Sequence, residues 1–180
     1  TYFSNGENIV RKIVSESSLV IAPTHYVRGQ LVTIAGVEHT HKIKICYHGV
    51  DANLFRKNSD ADWSASNDLL VVARLSVPFS CDKGFLWATK FFSEKKGDIP
   101  QSKIRFCGAG NGQALIKKFA DENNMLDSID ARGYVDQETL VSIYNDSSCL
   151  LIPSMMEAGC TAVIEAVMCG CLPIALDSAG

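Results

Sequence analysis

No apolar run in these 180 residues reaches the roughly 18 needed to span a bilayer. The strongest candidate, Thr161–Leu176, is broken by Glu165 and Pro173. Positive charge is not in excess: 17 Lys and Arg stand against 20 Asp and Glu, so no overall field calls for nucleic acid. The four histidines, His25, His39, His41 and His48, do not make a metal set: His39-x-His41 reads as a solvent-exposed pair in a polar loop. Cys169-x-Cys171 is too tight for a usual zinc pair, and no second pair completes it, so no metal is expected. There is no Gly-x-Ser-x-Gly elbow and no cysteine with an evident histidine base, so nucleophilic acyl chemistry is unsupported. The seven cysteines are odd in number and form no disulfide framework, which fits reduced thiols and a cytoplasmic location. No signal peptide is evident, and residue 1 is Thr rather than Met, so the expectation is a processed chain or a piece of a longer one.

What is present is an alternation. Hydrophobic content of 47% and charged content of 21% suit one buried domain, or one domain and part of another. Asn8–Glu16 reads as a helix, Leu19–Ala22 as a strand, and His25–Ala35 as a helix stopped by Gly36. Lys42–Tyr47 reads as a strand, and the polar stretch Asp51–Asn67 as a linker. A second series follows: strands at Leu69–Arg74, Lys103–Cys107, Ile129–Arg132, Cys149–Ile152 and Leu172–Leu176. Helices alternate with them at Gly84–Lys95, Gln113–Asn123, Gln137–Asn145 (capped by Asp136) and Thr161–Cys169. The strands are short continuous apolar runs, as in sheets covered on both faces. The fold class expected is α/β, a Rossmann-like parallel sheet with helices on both faces, whose ligands sit beyond the carboxyl ends of the strands.

Several residues fall at such ends. Arg74 closes one strand and Lys83-Gly84 opens the next helix; two cations there suit a diphosphate, or are plain surface charges. Gly108-Ala109-Gly110-Asn111-Gly112 links a strand to a helix, and its glycines permit either close ligand approach or simply a tight turn. Glu157 and Glu165 are separated by seven residues, with Gly159 and a helix start between them. A helix N-terminus attracts phosphate. The two acids admit three readings: an acid/base pair of glycosidase type, acceptors for sugar and ribose hydroxyls, or unrelated side chains. Glu165 lies in the otherwise apolar segment Ala162–Met168, where a carboxylate is costly unless hydrogen-bonded.

Taken in order, these motifs resemble the retaining GT-B glycosyltransferases, most closely family 4, the glycosyl transferases group 1. The segments that match are Ala73-Arg74-Leu75, Lys83-Gly84, Gly108-Ala109-Gly110 and Gly133-Tyr134-Val135. After them come Pro153-Ser154-Met155-Met156-Glu157-Ala158-Gly159-Cys160-Thr161, Glu165-Ala166 and Gly170-Cys171-Leu172-Pro173-Ile174. His48-Gly49-Val50-Asp51 followed by Phe55 is similar to the family's hinge segment, with His where Asn is usual.

The resemblance implies a GT-B fold, a nucleotide-diphosphate-sugar donor, hexosyl transfer with retention of configuration, and neither cofactor nor metal. It gives Arg74 and Lys83 the donor diphosphate. It gives Glu157, with Gly159, Cys160 and Thr161, the donor sugar, and Glu165 the ribose. It places the base near Gly108, Gly110, Tyr134 and Val135. Arg74, Lys83 and Glu157 would be the catalytic set. Residues 1–55 would end an acceptor domain with its hinge, and 56–180 would be a donor domain truncated at its C-terminus. The acceptor (glycan, lipid or small molecule) is left open, any peripheral membrane contact belongs to the missing domain, and the piece alone is expected to be inactive. Two alternatives stay open, a non-catalytic nucleotide-sugar or sugar-phosphate binding module and a GT-B-like epimerase. Two departures stand out: the Arg74-to-Lys83 spacing, nine residues against about five in the family, which makes Val77–Asp82 an insertion, and Ala158-Gly159-Cys160 in place of G-F-G.

Overall fold

The computed structural model describes residues 2–58, 66–77 and 83–177. Backbone contacts divide the described residues into two units: those up to Gly49 together with Glu157–Cys160, and those from Val50 to Met156 together with 161–177.

In the first unit α1 (Tyr2–Glu16), β1 (Val20–Ala22), α2 (His25–Ala35), a 3-10 turn (Val37–Lys42) and β2 (Ile43–Ile45) follow one another. β1 and β2 pair in parallel, Val20 opposite Ile43, over a small core of Val14, Ala22, Ala35 and Ile43. α2 begins where Thr24 turns extended and its hydroxyl accepts from Val27 N at 3.2 Å. It ends at Gly36, whose φ of 108° only glycine adopts readily and whose N–H donates to Val32 O. The strand expected from Lys42 to Tyr47 is shorter, because the 3-10 turn takes residues up to Lys42. That lysine's ammonium instead donates to Ser15 O and Ser17 O, both at 2.9 Å, tying down the end of α1.

The second unit runs β3 (Leu69–Val72), α3 (Phe85–Lys95), β4 (Ile104–Cys107), α4 (Gly112–Glu122), β5 (Ile129–Gly133), α5 (Gln137–Asn145), β6 (Cys149–Ile152), α6 (Thr161–Met168) and β7 (Leu172–Ala175). All pairings are parallel, in the order β5-β4-β3-β6-β7. The chain steps outward from β3 to β5, then returns to β6 on the other side of β3. Right-handed crossovers therefore put α3 and α4 on one face and α5 and α6 on the other. Phe85, Phe92 and Ile116 from the helices meet Ile104, Phe106 and Val71 of the sheet in one buried cluster. Leu172 and Ile174 are exposed, because β7 is the last strand of the sheet and its apolar pattern outruns its burial.

At the amino ends of the strands Asp68 acts as a staple. Its carboxylate accepts from Arg105 Nη2 at 2.6 Å and from Lys103 N at 2.8 Å, and its carbonyl accepts from Ser148 N at 3.0 Å. One residue thus joins the entries to β3, β4 and β6. α5 starts as expected at Asp136, whose side chain accepts from Thr139 N at 2.7 Å, a bond that holds the carboxyl below its usual range.

Candidate functional site

In an open parallel sheet the ligand crevice lies where successive crossovers diverge. Here that point falls between β3 and β6, since α3 leaves β3 for one face and α6 leaves β6 for the other. Arg74 stands two residues past β3, and α6 begins nine residues past β6. Arg74 is exposed and, among the described residues, makes no ion pair or hydrogen bond, so its guanidinium is available to an anion. Lys83 comes to the same end of the sheet: its ammonium donates to Met156 O at 3.4 Å, in the loop after β6. Gly84, left-handed at φ 66°, fixes this approach, because a Cβ there would overlap the Pro153 carbonyl oxygen. Residues 78–82 of the expected insertion lie outside the described residues.

The glycine loop after β4 packs on the loop after β3. Gly108 and Gly110 sit at φ 141° and 147°, and the space a Cβ would need is filled by the carbonyl oxygens of Ala73 and Leu75. Leu75 N donates to Ala109 O at 2.9 Å, and Gly112 N donates to Leu75 O at 2.6 Å. The glycines let this loop lie flat against the Arg74 loop. Asn111 completes the contact: its amide oxygen accepts from Val77 N at 2.8 Å, and its nitrogen donates to Val77 O at 3.1 Å. Nothing in the sequence singled out Asn111 beyond its place inside the glycine run. Tyr134, just past β5, is 79% exposed, and Val135 is half-buried.

Glu165 is half-buried in the second turn of α6, and its Oε2 accepts from the Tyr144 hydroxyl at 2.9 Å. The cost of a carboxylate on this apolar helix is met by that donor. Tyr144 was not visible as a site residue in the sequence, because its partner is 21 positions away.

The Glu157–Cys160 loop belongs to the first unit. The Thr24 hydroxyl donates to Ala158 O at 3.4 Å, and Gly159, at φ 148°, lies under His48, whose Cδ2 would be 2.9 Å from a Cβ built there. His48 therefore rests on this loop, and the glycine in Ala158-Gly159-Cys160 occupies the position that demands one. Glu157, Cys160 and Thr161 are half-buried.

The buried thiols are inert. Burial lifts Cys107 to about 11, Cys169 to about 11 with help from the Glu165 charge, and Cys171 to about 12, from an ordinary value of 9.0. A folded pKa above the unfolded one keeps its stabilising effect below the unfolded value of 9.0 and loses it as pH rises towards the folded values of about 11 to 12. The urea midpoint is accordingly expected to fall between about pH 8 and about pH 10.5, and less steeply in Cys107→Ala. A midpoint with the same pH slope in both proteins would contradict this.

The family described as glycosyl transferases group 1 matches residues 64–180. Among solved structures, sucrose-phosphate synthase from Thermosynechococcus elongatus superposes with a TM-score of 0.81 at 21% identity, over 98% of this chain and 45% of its own. The pneumococcal O-GlcNAc transferase GtfA, solved with UDP and GlcNAc, gives 0.72 at 20% identity, over 97% of this chain and 33% of its own. A point mutant of TarM of S. aureus, solved with fondaparinux, alpha-GlcNAc-glycerol and UDP, gives 0.79 at 17% identity over 97% and 33%. The chain thus spans less than half the length of each of these. No curated protein matches. Among the described residues no helix is long and apolar enough to cross a membrane.

Proposed function

The chain belongs to the group 1 glycosyltransferases, and from that membership we propose that it supplies the donor side of a retaining hexosyltransferase that uses a nucleotide-diphosphate-sugar. The observation that supports this most is the gathering of Arg74 and Lys83 at the β3/β6 switch point of the parallel sheet. Arg74, exposed and without a partner among the described residues, offers a fork of donors to a diphosphate, and Lys83 offers a point charge. Glu165 takes the ribose hydroxyls, Glu157 the hydroxyls of the sugar, and Tyr134 and Val135 border the base.

In the transfer the anomeric carbon exchanges its bond to the diphosphate oxygen for one to an acceptor oxygen. The nucleoside diphosphate departs with the electron pair, and the acceptor's proton passes to the phosphate oxygen so freed. Negative charge grows on the departing diphosphate, so cations placed beside it beforehand lower the barrier without rearranging. We assign this task to Arg74 and Lys83, with no metal or cofactor. The similar proteins solved with UDP fit this reading. The acceptor would be held by parts of the protein beyond these 180 residues.

Calorimetric titration with the glucose and mannose forms of UDP, GDP and ADP tests the proposal. One of them is expected to bind, without turnover by this chain alone, and Glu165→Ala is expected to weaken it at least about tenfold, the worth of a hydrogen bond to a charged group. Absence of binding to the wild type, or equal binding to Glu165→Ala, would overturn it. Turnover on adding the remainder of the protein separates an enzyme from a binding module.

A further inference from the structure

We infer that Tyr144 is a positioning residue for the ligand carboxylate: its hydroxyl holds Oε2 of Glu165 and so presents Oε1 to the two ribose hydroxyls. This rests on the reading of Glu165 given above and goes further by assigning a role to a residue that touches no ligand.

Three features of the second unit support it. The first is rigidity. Tyr144 lies in the last turn of α5 with none of its surface exposed, and the edge of its ring system meets Phe55 at a centroid distance of 6.3 Å and an interplanar angle of 67°. Its neighbour Asn145 anchors the same turn. The Asn145 amide nitrogen donates to Arg56 O at 3.2 Å and to Val141 O at 2.9 Å, and its amide oxygen accepts from Asn58 N at 2.8 Å. A phenol packed on all sides at the end of such a turn has little freedom to follow a moving acceptor, so the acceptor is held by the phenol.

The second feature is the freedom that Glu165 would otherwise have. Its flanking helix residues Ala162 and Ala166 are buried and Ile164 is exposed, and none of them offers a hydrogen bond to a side chain. A glutamate has three side-chain torsions, the last of them broad. On an apolar helix surface a specific donor is what selects one orientation. Ordering the side chain before the ligand arrives removes that entropic cost from binding.

The third is stoichiometry. An ionised carboxylate accepts through two oxygens with about four lone-pair directions. One O–H from Tyr144 takes one of these directions at Oε2, so acceptor capacity remains on the carboxylate. Adjacent hydroxyls on a ribose can then approach a single oriented oxygen.

Tyr144→Phe tests the idea, because it keeps the ring and its volume and removes only the hydroxyl. The probes are whichever of UDP, GDP or ADP binds the wild-type chain most tightly, and its 2′,3′-dideoxy counterpart. Affinities are measured by calorimetry for wild type, Tyr144→Phe, Glu165→Ala and the double variant. Tyr144→Phe is expected to weaken the ribose form about five- to tenfold, the scale of one hydrogen bond acting through a charged partner. It should leave the dideoxy form within about twofold, and add nothing in the Glu165→Ala background, as coupled residues do. A merely structural tyrosine would weaken both probes alike and add its effect to that of Glu165→Ala, and that result would overturn the inference. So would unchanged affinity of Tyr144→Phe when Glu165→Ala does discriminate the two probes, which leaves the functional reading standing. Loss of nothing in Glu165→Ala, or no binding of any of the three diphosphates to wild type, removes the functional reading and this inference with it.

Discussion

Gly108→Ala is expected to leave the second unit largely unfolded at ordinary temperature. At φ 141° an alanine sits in a region open essentially to glycine alone, at a cost of about 1–3 kcal/mol. Its Cβ would also overlap the Ala73 carbonyl oxygen. Neither backbone is free to retreat: Ala73 N donates to Cys107 O at 3.1 Å, and Gly108 N donates to Gly133 O at 2.7 Å. Relief would mean parting β3 from β4 in the middle of the sheet. The sum approaches the ~5 kcal/mol at the low end of whole-domain stability. Gly97→Ala is the matched control, because a Cβ there meets nothing within 4 Å, and it should change stability by no more than about 0.5 kcal/mol. Urea unfolding followed by far-ultraviolet circular dichroism measures both. A wild-type midpoint for Gly108→Ala would show that the loops can separate at little cost.

The second large effect is on binding. Arg74→Ala is expected to weaken a nucleoside diphosphate about 10- to 100-fold, the range for losing a forked, charge-assisted contact with phosphate. Lys83→Ala should cost less, about tenfold, since an ammonium contributes as a point charge. Both losses should shrink as salt is raised from low to moderate concentration, because added ions screen the attraction. The parent nucleoside, which carries no phosphate, should bind all three proteins alike. Equal weakening of nucleoside and diphosphate in Arg74→Ala would move this residue from the ligand to the scaffold. Stability is expected to be untouched in that variant, because the Arg74 side chain is exposed and has no partner among the described residues.

Much of the fold was legible because its signals are local. α5 and its cap Asp136, β6, α2 and its stop at Gly36 all lie where the sequence places them. In the two helices the deciding interaction joins residues three or four apart, or is a φ angle that a single glycine supplies, and β6 was legible from its unbroken apolar run. Boundaries drifted where a neighbouring element competed, as at β2, where a 3-10 turn consumes the residues before Ile43. Arg74 and Lys83 were legible as strand-end and helix-start cations for the same local reason.

The site itself was only half legible. Gly108 and Gly110 stood out in the sequence, but as a choice between ligand loop and turn. The backbone contact that requires glycine at both positions is with Ala73 and Leu75, more than 30 positions earlier, across a parallel strand pair. Asn111, which ties the same two loops together, had no signal of its own. Asp68 and Arg105 carry no local signal of their own in the sequence, yet they form a half-buried ion pair at 2.6 Å that staples the strand entries.

The amino-acid sequence by itself determined the kind and succession of elements, and through them a parallel sheet whose carboxyl ends bear Arg74, Lys83 and Glu165. Periodicity, caps and glycines act over a few residues and can be read in one dimension. Only the tertiary structure decided that β6 lies beside β3, that the glycine loop packs on the Arg74 loop, that Gly159 lies under His48, and that Tyr144 grips Glu165. Those facts depend on strand order and register, which bring together residues tens of positions apart, and no local spacing rule encodes them.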